Sequence, residues 1–179
     1  MDPFLIQINA FVEKTKGEMN EVVRSSVFKL AVRIISTSPV GNPKLWETPA
    51  PKGYVGGRFR ANWQIGIGAA PSGVIDAIDQ SDGGSDTQMK ILSNIPKTDA
   101  AGKIYWLVNN LPYAERLEKG WSYKQAPNGM VGLAIADWQN IVDKAVIDAA
   151  GGPQVWRDQN RFAVSAPQVW SNQGRFNTE

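Results

Sequence analysis

The chain has neither cysteine nor histidine in its 179 residues. The first absence excludes disulfide frameworks, cysteine–zinc sites, iron–sulfur clusters and thiol nucleophiles. The second removes the commonest general base, the Ser-His-Asp triad and nearly every histidine-containing metal site. Long apolar runs are missing as well. No stretch approaches the roughly 18 residues that a membrane span requires, so no membrane partner is expected. Nor does one sign of charge dominate: nineteen basic and seventeen acidic residues leave +2, too balanced for a sequence-independent nucleic-acid binder. Asp2 stands where a secretory leader carries its positive segment, which predicts a chain made and folded in a cytoplasm.

What is present suits a folded domain. Hydrophobic residues make up 42% and charged residues 20%, and the length fits one domain with an appendage. Phe4, Ile8, Phe11 and Val12 keep helical spacing, and after Gly17 the stripe resumes through Val22, Val27, Leu30 and Ile34. The spacing predicts a helix over 4–35 with a kink or break at Gly17, stopped by Ser38-Pro39. Pro43, Pro49 and Pro51 with Gly41 and Gly53 predict a loop anchored by Trp46. Alternation predicts a strand over 61–68, with Trp63, Ile65 and Ile67 on one face.

Residues 69–86 carry aspartates at 76, 79, 82 and 86 and read as a solvated acidic excursion. Their spacing fits no EF-hand, which needs ligands two residues apart and a closing Glu. Residues 87–94 suit either a short helix or a strand. Residues 104–108 are apolar on both faces and predict a strand covered on both sides. Leu111-Pro112 opens a short helix in which Tyr113 and Leu117 stack, and Gly120 suits a left-handed residue after its end. One unbroken helix is expected over 130–149, with Trp138 on its apolar stripe. The domain is thus placed at 1–151. The remainder, 152–179, is read as an extended arm, because Pro153–Phe162 recurs as Pro167–Phe176 with seven of ten positions identical. Two copies are too few for a solenoid.

Gly57-Arg58-Phe59-Arg60 lacks the Lys-Ser/Thr of a P-loop. If extended, Arg58 and Arg60 project together, toward carboxylates on a neighbouring chain or a nucleic-acid backbone, and the balanced charge of the chain favours carboxylates. Trp63, Trp106 and Trp138 read as core. Trp46, Trp121, Trp156 and Trp170 fall in loops or the arm, where aromatic anchors suit partner pockets. The arm repeats Arg161-Phe162 as Arg175-Phe176, and it reads either as anchors for a partner or as a disordered tail. Interface candidates are therefore Trp46, Arg58, Arg60, Trp156, Arg161, Phe162, Trp170, Arg175 and Phe176. Glu115 and Glu118 lie one helical turn apart, but interleaved with Arg116 and Lys119 they suit a solvated face better than a catalytic pair.

The block Tyr113-Ala-Glu-Arg-Leu-Glu-Lys-Gly-Trp-Ser122, followed by Gln125-Ala-Pro-Asn-Gly-Met-Val131, resembles the signature of neck or tail-completion proteins of long-tailed bacteriophages. Ser38-Pro39-Val40 and Gly57-Arg58-Phe59-Arg60 with Trp63 resemble that family's upstream Ser-Pro-Val and Gly-Arg strand, here separated by a proline-rich insertion. The similarity spans about residues 20–149, and the arm lies outside it. The resemblance implies an α+β fold, an antiparallel sheet packed by N- and C-terminal helices. It implies a virion protein without cofactor or catalytic turnover, assembled in the host cytoplasm as a homo-oligomeric ring. Its partners would be the portal-side connector or head-completion protein, the tail terminator or tail tube, and the genomic DNA, which passes without sequence-specific binding. Gly57, Trp63, Tyr113, Leu117, Glu118, Gly120, Trp121, Gln125, Pro127, Gly129 and Met130 would then be structural. A tail terminator is the near alternative. A carbohydrate or cell-wall module using Trp46 and Trp121, and a carboxylate enzyme using Glu115 and Glu118, are the alternatives of other classes.

Overall fold

The fold was analysed in a computed structural model, which describes residues 3–45 and 47–150. Trp46 and the arm, with Trp156, Arg161, Phe162, Trp170, Arg175 and Phe176, lie outside the described residues. Helix α1 (Pro3–Thr37) is followed by a loop with one 3-10 turn at Pro43–Leu45, a helical turn α2 (Arg58–Ala61) and strand β1 (Trp63–Ile67). A long connection then leads through a 3-10 turn at Asp82–Gly84 into α3 (Ser85–Asn94). Strand β2 (Tyr105–Asn109), α4 (Ala114–Glu118), α5 (Val131–Ala136) and α6 (Trp138–Ala149) complete the order. The protein is α+β, with a small antiparallel sheet packed by its N- and C-terminal helices.

Helix α1 takes 35 residues and runs through Gly17 unbroken, so its axis is about 52 Å long at 1.5 Å per residue. Its stop is local. Ser38 Oγ donates to Ile34 O at 2.8 Å, and Pro39 follows. The C-terminal half of α1 supplies Ala31, Ile34 and Ile35 to the core, where they meet Phe59, Trp63, Ile91, Leu117 and Met130.

The two strands pair with Ile65 opposite Leu107 and Gly66 opposite Trp106. This register puts Trp63, Ile65, Tyr105 and Leu107 on the face toward α1, as the alternation of β1 predicts. The double-sided coverage expected for residues 104–108 is not found. Among the described residues β2 has β1 as its sole neighbour, and Trp106 and Ile104 are exposed. An apolar outer face on such a strand has the same composition as a covered one.

Two other expectations are corrected. Residues 130–149 form two helices, because Asp137 leaves helical geometry at φ −91° and ψ 3°. Aspartate competes with the backbone for hydrogen bonds and favours helix ends. Its side chain accepts from Asn140 Nδ2 at 2.7 Å rather than pointing away along α5. Trp138, at the start of α6, is consequently exposed instead of core. Residues 87–94, undecided by pattern, are helical within α3, with Thr87 and Ile91 buried one turn apart.

Candidate functional site

The residues that carry the family resemblance converge in two places. The first joins segments 38–40 and 57–63 across the proline-rich loop. Trp63 Nε1 donates to Ser38 Oγ at 2.8 Å, and Arg60 donates to Ser38 O at 3.4 Å and to Ser81 O at 3.1 Å. The Gly57 N–H donates to Val40 O, and Gly57 O accepts from Asp79 N. Gly57 has φ +103°, and a Cβ there would strike the Asp79 backbone, so the left-handed turn and the close approach both require glycine.

That turn overturns the reading of the arginines. Residues 58–61 are helical, not extended. Two residues apart in a helix lie about 200° apart around the axis, whereas in a strand they share a side. Arg58 is accordingly exposed, while Arg60 is buried with its guanidinium tied to Ser38, just past the end of α1, and to Ser81. Arg60 is a frame residue here and not an exposed contact.

Asp79 is the centre of this region and escaped the sequence reading. It is buried, against the expectation of a solvated acidic stretch. Its carboxylate accepts from the N–H and hydroxyl of Ser81 and from the N–H and hydroxyl of Thr87. Burial pushes its pKa up, but those four donors outweigh it and hold the group below the ordinary carboxylate value. Asn62, also fully buried, donates to Arg58 O and Ile75 O and accepts from Ile75 N. Asn20 Oδ1 similarly accepts from the N–H groups of Ala100 and Ala101. The only signal for these residues in the sequence was an Asp or Asn beside loop segments, which is common and unspecific.

The second convergence spans 113–131. Tyr113 packs 6.2 Å from Phe59, and Leu117 reaches the core behind it. Gly120 has φ +82° and closes α4 with its N–H on Leu117 O at 3.0 Å. The chain then turns so that the carbonyl of Pro127 faces Gly120 and that of Glu118 faces Gly129, in both cases where a Cβ would collide. Met130 is buried, whereas Gln125 and Pro127 are exposed.

Glu118 is the keystone. Oε2 accepts from the N–H of Met130 and of Val131, each at 3.0 Å, and Oε1 accepts from Gly132 N at 2.8 Å. The carboxylate therefore caps the start of α5 from the end of α4, where free N–H groups and a partial positive charge favour an anion. Burial raises its pKa, but the three backbone donors prevail and hold it below the usual value. With both oxygens occupied and the group kept ionised, Glu118 is a cap, not a proton donor. Glu115 is exposed and pairs with Lys119 at 2.5 Å. Glu118→Gln, which keeps one acceptor oxygen and turns an N–H₂ toward backbone donors, is expected to cost about 1–3 kcal/mol of stability. Urea unfolding of the variant beside the parent chain measures it.

Trp121 is exposed, and the Arg116 guanidinium lies 3.8 Å from its ring centroid. A cation over one ring face leaves less room for a stacked sugar. Among the described residues no cluster of three or more Asp and Glu side chains is arranged to hold a metal ion, and no helix is long and apolar enough to cross a membrane.

Besides the outer face of β2, two further apolar surfaces are uncovered by the described residues. One is a groove of about 540 Å³ between α1, the inner sheet face and the α5–α6 pair, walled by Val22, Leu30, Ile65, Leu107, Ile135 and Trp138. The other is the N-terminal end of α1, where every residue from 3 to 14 is exposed. Comparison with family models, with curated proteins and with solved structures finds no match for this chain.

Proposed function

We propose that the chain is a structural subunit of the neck of a long-tailed bacteriophage, forming a ring that joins the portal side of the DNA-filled head to the tail tube. The observation that carries this reading is the motif of residues 113–131. Its Glu118, Gly120, Pro127, Gly129 and Met130 act together as one folded unit, as a family signature does when it encodes a frame. The upstream motif supports it in the same way, since Ser38, Val40, Gly57, Arg60 and Trp63 meet around one turn. Such a subunit works by surface, not by turnover. A cyclic ring is closed by heterologous contacts, one patch meeting a different patch on the next copy. The exposed apolar groove and helix end provide two unlike patches of this kind.

The test is electron microscopy of lysates from a phage with an early stop codon in this gene. Filled heads lying apart from finished tails of normal length are expected. Overlong tails would instead make the protein a tail terminator, and intact joined virions would overturn both readings.

A further inference from the structure

We infer that the N-terminal end of α1 docks into the apolar groove of a second copy of this chain, making the head-to-tail contact between neighbouring subunits. The inference deepens the ring reading above and rests on it for closure. The contact itself belongs to the chain alone.

The helix end is apolar, and the described residues of its own subunit leave it exposed. Between Asp2 and Glu13 no residue is charged, and Leu5, Ile8, Phe11 and Val12 are 52%, 44%, 68% and 40% exposed. At 100° per residue these four side chains share one face of the helix. The groove is correspondingly apolar. The polar side-chain groups of its lining residues are the hydroxyl of Ser26, which has no hydrogen-bond partner among the described residues, that of Tyr105, which already donates to Ala100 O, and the indole N–H of Trp138.

Size and length agree as well. A cavity of about 150 Å³ holds a benzene-sized group, so a groove of about 540 Å³ takes about three side chains of that order. Ile8, Phe11 and Val12 supply three. The α1 wall of the groove runs from Val22 to Ile34, about 18 Å at 1.5 Å per residue, and the segment from Leu5 to Val12 is about 11 Å long.

The contact cannot form within one subunit. The helix end and the groove wall are parts of the same continuous helix. Phe11 therefore stays about 16 Å along the axis from Val22 and cannot fold back onto it. A helix end that fills the groove must come from another copy. Because helix end and groove are different surfaces, the contact is heterologous, and repeated from copy to copy it generates a ring when the rotation closes.

The absence of cysteine makes the test clean. In the full chain, Phe11→Cys and Ile135→Cys each place one thiol on an exposed position, the first on the helix end and the second on the groove rim. Mixed and treated with a short bismaleimide, the two variants should give a cross-linked dimer far faster than either does alone. In parallel, sedimentation of the unmodified chain should show self-association, and Phe11→Asp should weaken it by about tenfold or more, the loss typical of a central aromatic anchor. Circular dichroism confirms that the variant is folded, since Phe11 touches no core residue.

Three results would overturn the inference: a chain still monomeric at concentrations on the order of 0.1 mM, cross-linking of Phe11→Cys only to itself, or association that survives Phe11→Asp but is lost on deleting residues 152–179. The last would assign the groove to the arm. The neck reading fails separately, through joined virions from the stop-codon phage, and can do so while the cross-link forms.

Discussion

Replacing Asp79 with alanine is expected to destabilise the protein by about 3 kcal/mol or more, one of the largest effects a single polar substitution can have here. The carboxylate is buried and satisfies four donors, two from Ser81 and two from Thr87. Alanine would strand them where water has little access. The damage would spread, because Thr87 lies in the first turn of α3 and Asp79 N also donates to the Gly57 turn. Chemical denaturation of parent and variant measures the difference.

The pH dependence of that difference gives the sign of the effect. The folded carboxyl titrates below its reference value of 3.8, so its ionised form is preferred more strongly in the folded than in the unfolded chain. Its contribution is complete above the unfolded pKa and fades as pH falls through the folded one. The gap between parent and Asp79→Ala should therefore be constant above about pH 5 and narrow below pH 4. Glu118, lowered from 4.5, adds acid sensitivity in the same direction to both proteins.

Gly129→Ala is the second large prediction, expected to cost about 3 kcal/mol or more. Gly129 sits at φ +72°, and its Cβ would collide with the backbone oxygen and the carboxylate of Glu118. The left-handed geometry alone costs an L-residue about 1–2 kcal/mol. Relieving the collision displaces the capping carboxylate, adding its three backbone donors to the loss. A fall in Tm larger than that of Glu118→Gln is the expected ordering. Equal or smaller damage would mean that the turn relaxes without moving Glu118.

These two sites also show how differently the fold could be read from the sequence. In the block 113–131 the glycine closing a short helix was legible because its logic is local, whereas the cap was not: the pattern around Glu118 reads as a solvated face, and its N–H partners lie twelve to fourteen residues on. Helix α1 was legible through its stripe, although Gly17 did not interrupt it, since a helix anchored by its C-terminal half tolerates one glycine. Asp79 was illegible for the opposite reason. Two of its four donors, both from Thr87, come from the start of α3 eight residues on, and nothing in a run of aspartates tells which one turns inward. Arg60 was misread because the side on which it falls depends on whether two residues adopt a strand or a turn, and the left-handed Gly57 decides that.

Trp106 and Trp138 teach a different lesson. Apolar periodicity reports which residues avoid water in the working assembly, whereas exposure reports only the isolated subunit. Trp138 stands on the groove that a second copy is inferred to fill, so its place on an apolar stripe and its exposure are compatible. Core and interface share one alphabet.

The turn at Gly57 has a consequence for how the gene can change. The segments flanking the proline-rich loop meet at Val40 and Gly57, whose hydrogen bond pinches the excursion shut at its base, and Lys124 Nζ donates to Leu45 O farther out. Whatever is spliced between them, the domain meets the same donor and acceptor. Doubling the length of a flexible loop adds only about 0.6 kcal/mol of closure entropy. The proline-rich stretch is thus a cassette on a fixed base, where added length costs little as long as the Lys124 contact to Leu45 is kept.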